Sequence, residues 1–218
     1  MELSVPGPVG RLEAVLERPP ASASSPFEPE RPLAAAVVCH PHPEYGGTMK
    51  NAIVVRIARA LRAAGLATLR FNFRGVGGSE GSHDGEGGEE RDVAACLDLL
   101  GREVPGIELW AAGYSFGARA VARLALEDER IRRLVLVAFP VEVFDCPGVE
   151  LLRVPGLALF GSEDEFGTLS SLRRRCPVPP AAFELDEISG ADHSFRGRTP
   201  LVEERVRAYA LRAIEETP

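Results

Sequence analysis

Ser115 stands between two glycines in the pentapeptide Gly113-Tyr114-Ser115-Phe116-Gly117. An apolar run, Ile107 to Ala112, leads into it, and an Ala/Val/Leu-rich segment, Ala118 to Leu126, follows. Strand, sharp turn and helix in that order would lift a serine hydroxyl to the top of a sheet. The turn strains the backbone at the serine and presses strand against helix, so glycine suits the positions two away on either side. The amide of Phe116 would then sit at a helix start, where outward N–H groups and the positive dipole end favour a developing oxyanion. The pentapeptide alone is weak, because a chain with 22 glycines supplies the pattern by chance about 0.1 times. Its flanks carry the reading.

A serine needs a base to take its proton, and an imidazole base needs a carboxylate to hold its tautomer. His193 in Ser189-Gly190-Ala191-Asp192-His193 is the only histidine in the last third of the chain. Gly161-Ser162-Glu163-Asp164-Glu165 offers three consecutive acids. Asp164 is the favoured partner and Glu163 the next. Asp192 adjoins His193 directly and should point elsewhere. The order along the chain is therefore serine, acid, histidine. A second oxyanion donor belongs in the loop His40 to Met49. Pro41 and Pro43 have no N–H, which makes the His42 amide the first donor available there. The spacing His40-x-His42, with Glu44 beyond, also permits metal ligation, but no further ligand spacing supports it, so no metal and no cofactor are expected.

These residues need a scaffold. Ala34 to Cys39, Arg133 to Ala138 and Pro155 to Phe160 are continuous apolar runs, as strands buried on both faces should be. Ala67 to Phe73 and 107–114 read as further inner strands. Residues 9–17 and 183–188 alternate and read as edge strands, the former antiparallel. Helical stripes fall between them. Ile53, Ile57, Ala60, Leu61 and Ala64 form one, Val93, Cys96, Leu97 and Leu100 another. A third follows Ser115, and Val202, Val206, Tyr209, Ala210 and Ala213 mark a terminal helix after Pro200. Alternating strands and helices predict an α/β fold with a mostly parallel, doubly wound sheet of about seven to eight strands and helices on both faces. Ligands in such sheets bind beyond the carboxyl ends of the strands, which is where Ser115, Asp164, His193 and His42 fall.

Residues 1–218 are expected to form a single domain, with residues 19–32 as a Pro/Ser-rich surface loop. The net charge of −7 argues against nucleic acid and against an anionic membrane surface. No run of 18 apolar residues and no leader-like N-terminus occur, so a cytoplasmic location without membrane partners is expected. Cys39, Cys96, Cys146 and Cys176 lack metal or redox spacing and read as free thiols. Arg74 to Ser79 lacks the ending of a phosphate loop and reads as a structural turn, with His83 and Asp84 on the surface.

The stretches CHPHPEYGGTMKN (39–51), LRFNFRGVGGSEGSHDGEGGEERD (69–92), LWAAGYSFGA (109–118), LFGSED (159–164) and SGADHSF (189–195) resemble the α/β-hydrolase superfamily. The chain looks most like its small bacterial members related to dienelactone hydrolase. The resemblance implies the α/β-hydrolase fold without a large cap domain, and activity as a serine hydrolase on carboxylic esters. It implies Ser115 as nucleophile, Asp164 as acid, His193 as base, and the His42 and Phe116 amides as oxyanion hole. Dienelactone hydrolase itself uses a cysteine where this chain has Ser115, so its activity is not implied. A thioesterase or peptidase would use the same triad, whereas a non-catalytic scaffold would not require it.

Overall fold

The apolar runs become the inner strands of one sheet. The computed structural model describes residues 1–20, 32–85, 87–143, 149–176 and 181–216. Among them are eight strands: β1 Glu2–Gly7, β2 Gly10–Glu17, β3 Ala34–Cys39, β4 Leu66–Phe71, β5 Glu108–Tyr114, β6 Ile131–Val137, β7 Gly156–Gly161 and β8 Phe183–Ile188. Five helices accompany them: α1 Ala52–Ala63, α2 Gly88–Glu103, α3 Phe116–Leu124, α4 Leu169–Arg175 and α5 Thr199–Glu215. The order across the sheet is β1-β2-β4-β3-β5-β6-β7-β8. β1, β2 and β4 pair antiparallel, and every pairing from β4 to β8 is parallel.

Every residue of β3 and β7 is buried, as expected of strands covered on both faces. β2 and β8 are less uniformly buried. Two apolar cores lie on opposite faces of the sheet. One packs α2 and α3 through residues such as Leu97, Leu100, Phe116 and Val121. The other packs α1 and α5 through Ile57, Leu61, Val206 and Tyr209 against Val38, Trp110 and Leu159. Asn51 caps α1 by accepting from the Ile53 amide, and Pro200 lies in the first turn of α5.

One expectation is corrected. The strand read at 9–17 is antiparallel but not at the edge, because β1 lies outside it. β1 carries Pro6 and contributes only Val5 fully to the core, so its periodicity is faint. The short helix α4, capped by Thr168 accepting from Ser171 N–H, also leaves little periodic signal. Of the 19–32 loop, residues 21–31 lie outside the described residues, as does Cys146. Among the described residues, Cys39, Cys96 and Cys176 are buried and form no disulfide. Among the described residues, the connection from β6 to β7 holds only a 3-10 turn at Val149–Leu151, with no cap domain.

Candidate active site

Ser115 has φ 55° and ψ −117°, a conformation that costs a non-glycine residue strain. The surrounding backbone holds it there. Its amide donates to Val137 O at 2.9 Å, and its carbonyl accepts from the Arg119 amide at 3.1 Å. The flanking glycines are required by contact. A Cβ on Gly113 would lie 2.2 Å from the Gly117 carbonyl carbon, and one on Gly117 would lie 2.6 Å from Cys39 O. The second contact seats the start of α3 against the end of β3.

Three strand ends deliver three side chains to one place. His193 Nε2 lies 2.9 Å from Ser115 Oγ. His193 Nδ1 lies 2.9 and 2.8 Å from Asp164 Oδ1 and Oδ2. The Asp164 carboxylate is fully buried and also accepts from the Phe166 amide at 2.8 Å. A carboxylate acceptor makes Nδ1 the protonated nitrogen, which leaves Nε2 to accept from the serine hydroxyl. Glu163 is exposed, and its amide donates to Ala191 O instead. Asp192 turns away and accepts from the Arg196 amide at 3.0 Å. Of the carboxylates left open by sequence, Asp164 is the one that meets His193 Nδ1.

The loops around the relay are pinned by backbone-directed bonds. Tyr114, the residue before the serine, donates its hydroxyl to His193 O at 3.0 Å. Burial pushes that phenol up to about 12, so it stays protonated as a donor. Ser162 Oγ accepts from the Gly190 amide at 2.7 Å, tying the acid loop to the histidine loop. The Phe166 ring meets the His193 ring edge-on at 4.7 Å. Gly167, next to it, has no room for a side chain, since a Cβ would lie 2.6 Å from Phe139 O.

A cleft of about 310 Å³ opens over the hydroxyl, and its walls include Pro41, His42, Phe116, Pro140, Val143 and Phe166. Tyr45 and Val143 on the same rim are 85% and 53% exposed, so nothing roofs the cleft among the described residues. Phe116 is buried at the first position of α3, where the helix dipole favours negative charge. His42 approaches from the loop after β3, its ring 5.0 Å from that of Phe116. Gly47 folds that loop tightly, for a Cβ there would lie 2.0 Å from Pro41 O.

The histidines of the loop separate in role. His40 is wholly buried and is not a ligand partner of His42. Its Nδ1 donates to Pro41 O at 2.6 Å, and its Nε2 accepts from the Phe73 amide at 3.0 Å. Burial depresses its pKa to about 4. Burial, and next the nearby His83, also hold His42 below the ordinary histidine range. His83 is not the surface residue that its glycine-rich loop suggested. Its ring packs 4.9 Å from His42 and 5.6 Å from Phe116. The Arg74 turn is structural, as its missing phosphate-loop ending implied. Arg74 is buried and forks onto the buried Asp92 at 2.7 and 3.0 Å, with further bonds to Asp84 and Gly88 O. Among the described residues, His42, Glu44 and His83 are the group whose donor atoms could meet on a metal.

Residues 35–215 match the family described as the alpha/beta hydrolase domain. The chain belongs to the α/β-hydrolase family. The alpha-beta serine hydrolase homologue from Coxiella burnetii is 33% identical, with a TM-score of 0.86 over 96% of each chain. XC6422 from Xanthomonas campestris, an α/β serine hydrolase without lid, is 30% identical with a TM-score of 0.86, over 100% of this chain and 96% of its own. RP471 of Rickettsia prowazekii is 32% identical over 94% of this chain and 86% of its own. Fold, family and these relatives support hydrolase activity. Among the described residues, no helix is long and apolar enough to cross a membrane.

Proposed function

We propose that this chain is a single-domain serine hydrolase that cleaves carboxylic esters of short acyl chains through an acyl-enzyme. One observation carries the reading: Ser115 Oγ, His193 Nε2 and the buried Asp164 carboxylate form an unbroken hydrogen-bonded relay beside an open, apolar-walled cleft. In this reading His193 Nε2 takes the hydroxyl proton as Ser115 Oγ attacks the ester carbonyl. Asp164 holds the Nδ1 proton and offsets the imidazolium charge. The backbone amides of Phe116 and His42 act as the oxyanion hole for the tetrahedral intermediate. His193 then returns the proton to the leaving alcohol, and water repeats the sequence on the acyl-enzyme.

The substrate class follows from the open rim. Burial contributes about 0.8 kcal/mol per methylene, and a cleft without a cap can bury only the first few. Acyl chains of roughly two to six carbons are therefore the preferred class. A fluorophosphonate probe tests the chemistry directly. Wild type should label at neutral pH, and Ser115→Ala should not. A folded wild type that fails to label would refute the proposal.

A further inference from the structure

The His40–His42 pairing that spacing permits, and that carried no metal expectation, gives way to another that only the fold creates. His40 turns inward, and His83 arrives beside His42 from the loop between β4 and α2. The two rings meet edge-on, their centroids 4.9 Å apart. Glu44 lies in the 3-10 turn Pro43–Tyr45 immediately after His42. One donor atom from each of His42, Glu44 and His83 lies within 4.8 Å of the other two. Donors sharing a tetrahedral zinc stand about 3.4 Å apart, given bonds of about 2.1 Å. The set therefore has to contract by roughly an ångström. The exposed Glu44 side chain has the freedom to do so.

A second observation lies behind His83. Its Nδ1 is 2.8 Å from Glu89 Oε1, which also accepts from the Asp84 amide at 3.2 Å. Glu89 is fully buried, and its Oε2 has no hydrogen-bond partner among the described residues. A carboxylate on Nδ1 orients an imidazole and raises the basicity of Nε2 toward a metal. Arg74 is already held by Asp92 and Asp84. A buried carboxylate is costly unless it is paired, and Glu89 meets its pairing through His83.

We propose that His42, Glu44 and His83 bind a divalent cation of the zinc class at the rim of the cleft, with Glu89 positioning His83. Two imidazoles and a carboxylate suit zinc and its transition-metal neighbours better than magnesium or calcium. The site shares no side chain with Ser115, Asp164 or His193. Because His42 lines the cleft, a bound ion narrows its mouth. The ligating side chains differ from the triad's, but the His42 amide belongs to the proposed oxyanion hole, so zinc is followed by binding and not by activity.

Calorimetric titration of chelator-treated, full-length protein with zinc chloride at neutral pH tests this. One saturable site is expected in wild type, and an unchanged one in Ser115→Ala. His83→Gln and Glu44→Gln should each weaken binding at least about tenfold, and Glu89→Gln about 10–100-fold. Glu44 is exposed, so Glu44→Gln keeps the test decisive even if Glu89→Gln fails to fold. Three results would overturn the proposal. They are no saturable binding by wild type, wild-type affinity in both His83→Gln and Glu44→Gln, or a site abolished by His193→Gln, which would put the ion on the triad.

Discussion

Replacing Asp164 by asparagine tests the relay with almost no change of shape. The buried carboxylate accepts from His193 Nδ1 and from the Phe166 amide, the latter at Oδ1. Asparagine can keep the Phe166 bond through its own oxygen, which turns its NH₂ toward His193. Nδ1 must then accept rather than donate, and the ring proton moves to Nε2. That nitrogen lies 2.9 Å from Ser115 Oγ and can no longer take its proton. Loss of the correct tautomer in such a relay costs about 10⁴-fold in kcat. At about 1.36 kcal/mol per decade this is roughly 5 kcal/mol of transition-state stabilisation. Folding stability should change by about 1 kcal/mol or less, because the Phe166 amide keeps its acceptor. The assay is steady-state hydrolysis of a short p-nitrophenyl ester, with thermal melting as the control on folding. Glu163→Gln serves as the comparison, since that side chain is exposed and should lose less than about twofold. A folded Asp164→Asn enzyme that keeps a tenth of wild-type kcat, or a Glu163→Gln enzyme that loses as much as it does, would refute the reasoning.

Three further outcomes are expected. Gly117→Ala puts a methyl 2.6 Å from Cys39 O, so it should destabilise by about 1–3 kcal/mol in urea unfolding and lower kcat by displacing the start of α3. Wild-type stability and activity would mean that the β3–α3 approach is not what holds the elbow. His40, with its folded pKa near 4 against an ordinary 6.5, binds fewer protons folded than unfolded between those values. Stability should therefore fall as pH drops through that window, by an amount on the order of 3 kcal/mol. Urea midpoints against pH should be flatter for His40→Gln, and parallel curves would discard the assignment. On p-nitrophenyl esters, kcat/KM should peak at acyl chains of roughly two to six carbons and decline beyond. A preference for chains of about twelve carbons would mean that some segment closes over the cleft.

The chemistry-bearing positions were legible because their signals are local. A glycine two residues either side of Ser115 reports the steric demand of a sharp turn: Gly113 lies against Gly117 within that turn, while Gly117 itself lies against Cys39 O at the end of β3. Strand β3 announces itself by continuous apolarity, and α1 and α5 by a stripe of period 3.6. Asp164 and His193 could be proposed because both follow such strands. Sequence alone thus determined the alternation of elements and the α/β class. β1 and α4 escaped because a short element with one or two core residues leaves no periodic pattern.

What only the tertiary structure decided are the relations between loops distant along the chain. Glu163 and Asp164 are adjacent and chemically alike. The choice between them depends on how the loop after β7 turns, and there the Asp164 carboxylate is buried against His193 while Glu163 faces solvent. Spacing permitted a His40–His42 pair without favouring it; in the fold His40 satisfies the Phe73 amide in the core, and His83 is the ring that meets His42. Arg74 looked like part of a glycine-rich turn, yet it anchors that turn to Asp92 on α2. Periodicity reflects which face of an element meets the core. Which side chains meet beyond the strand ends is set by strand order and loop closure, and these depend on packing summed over the whole chain.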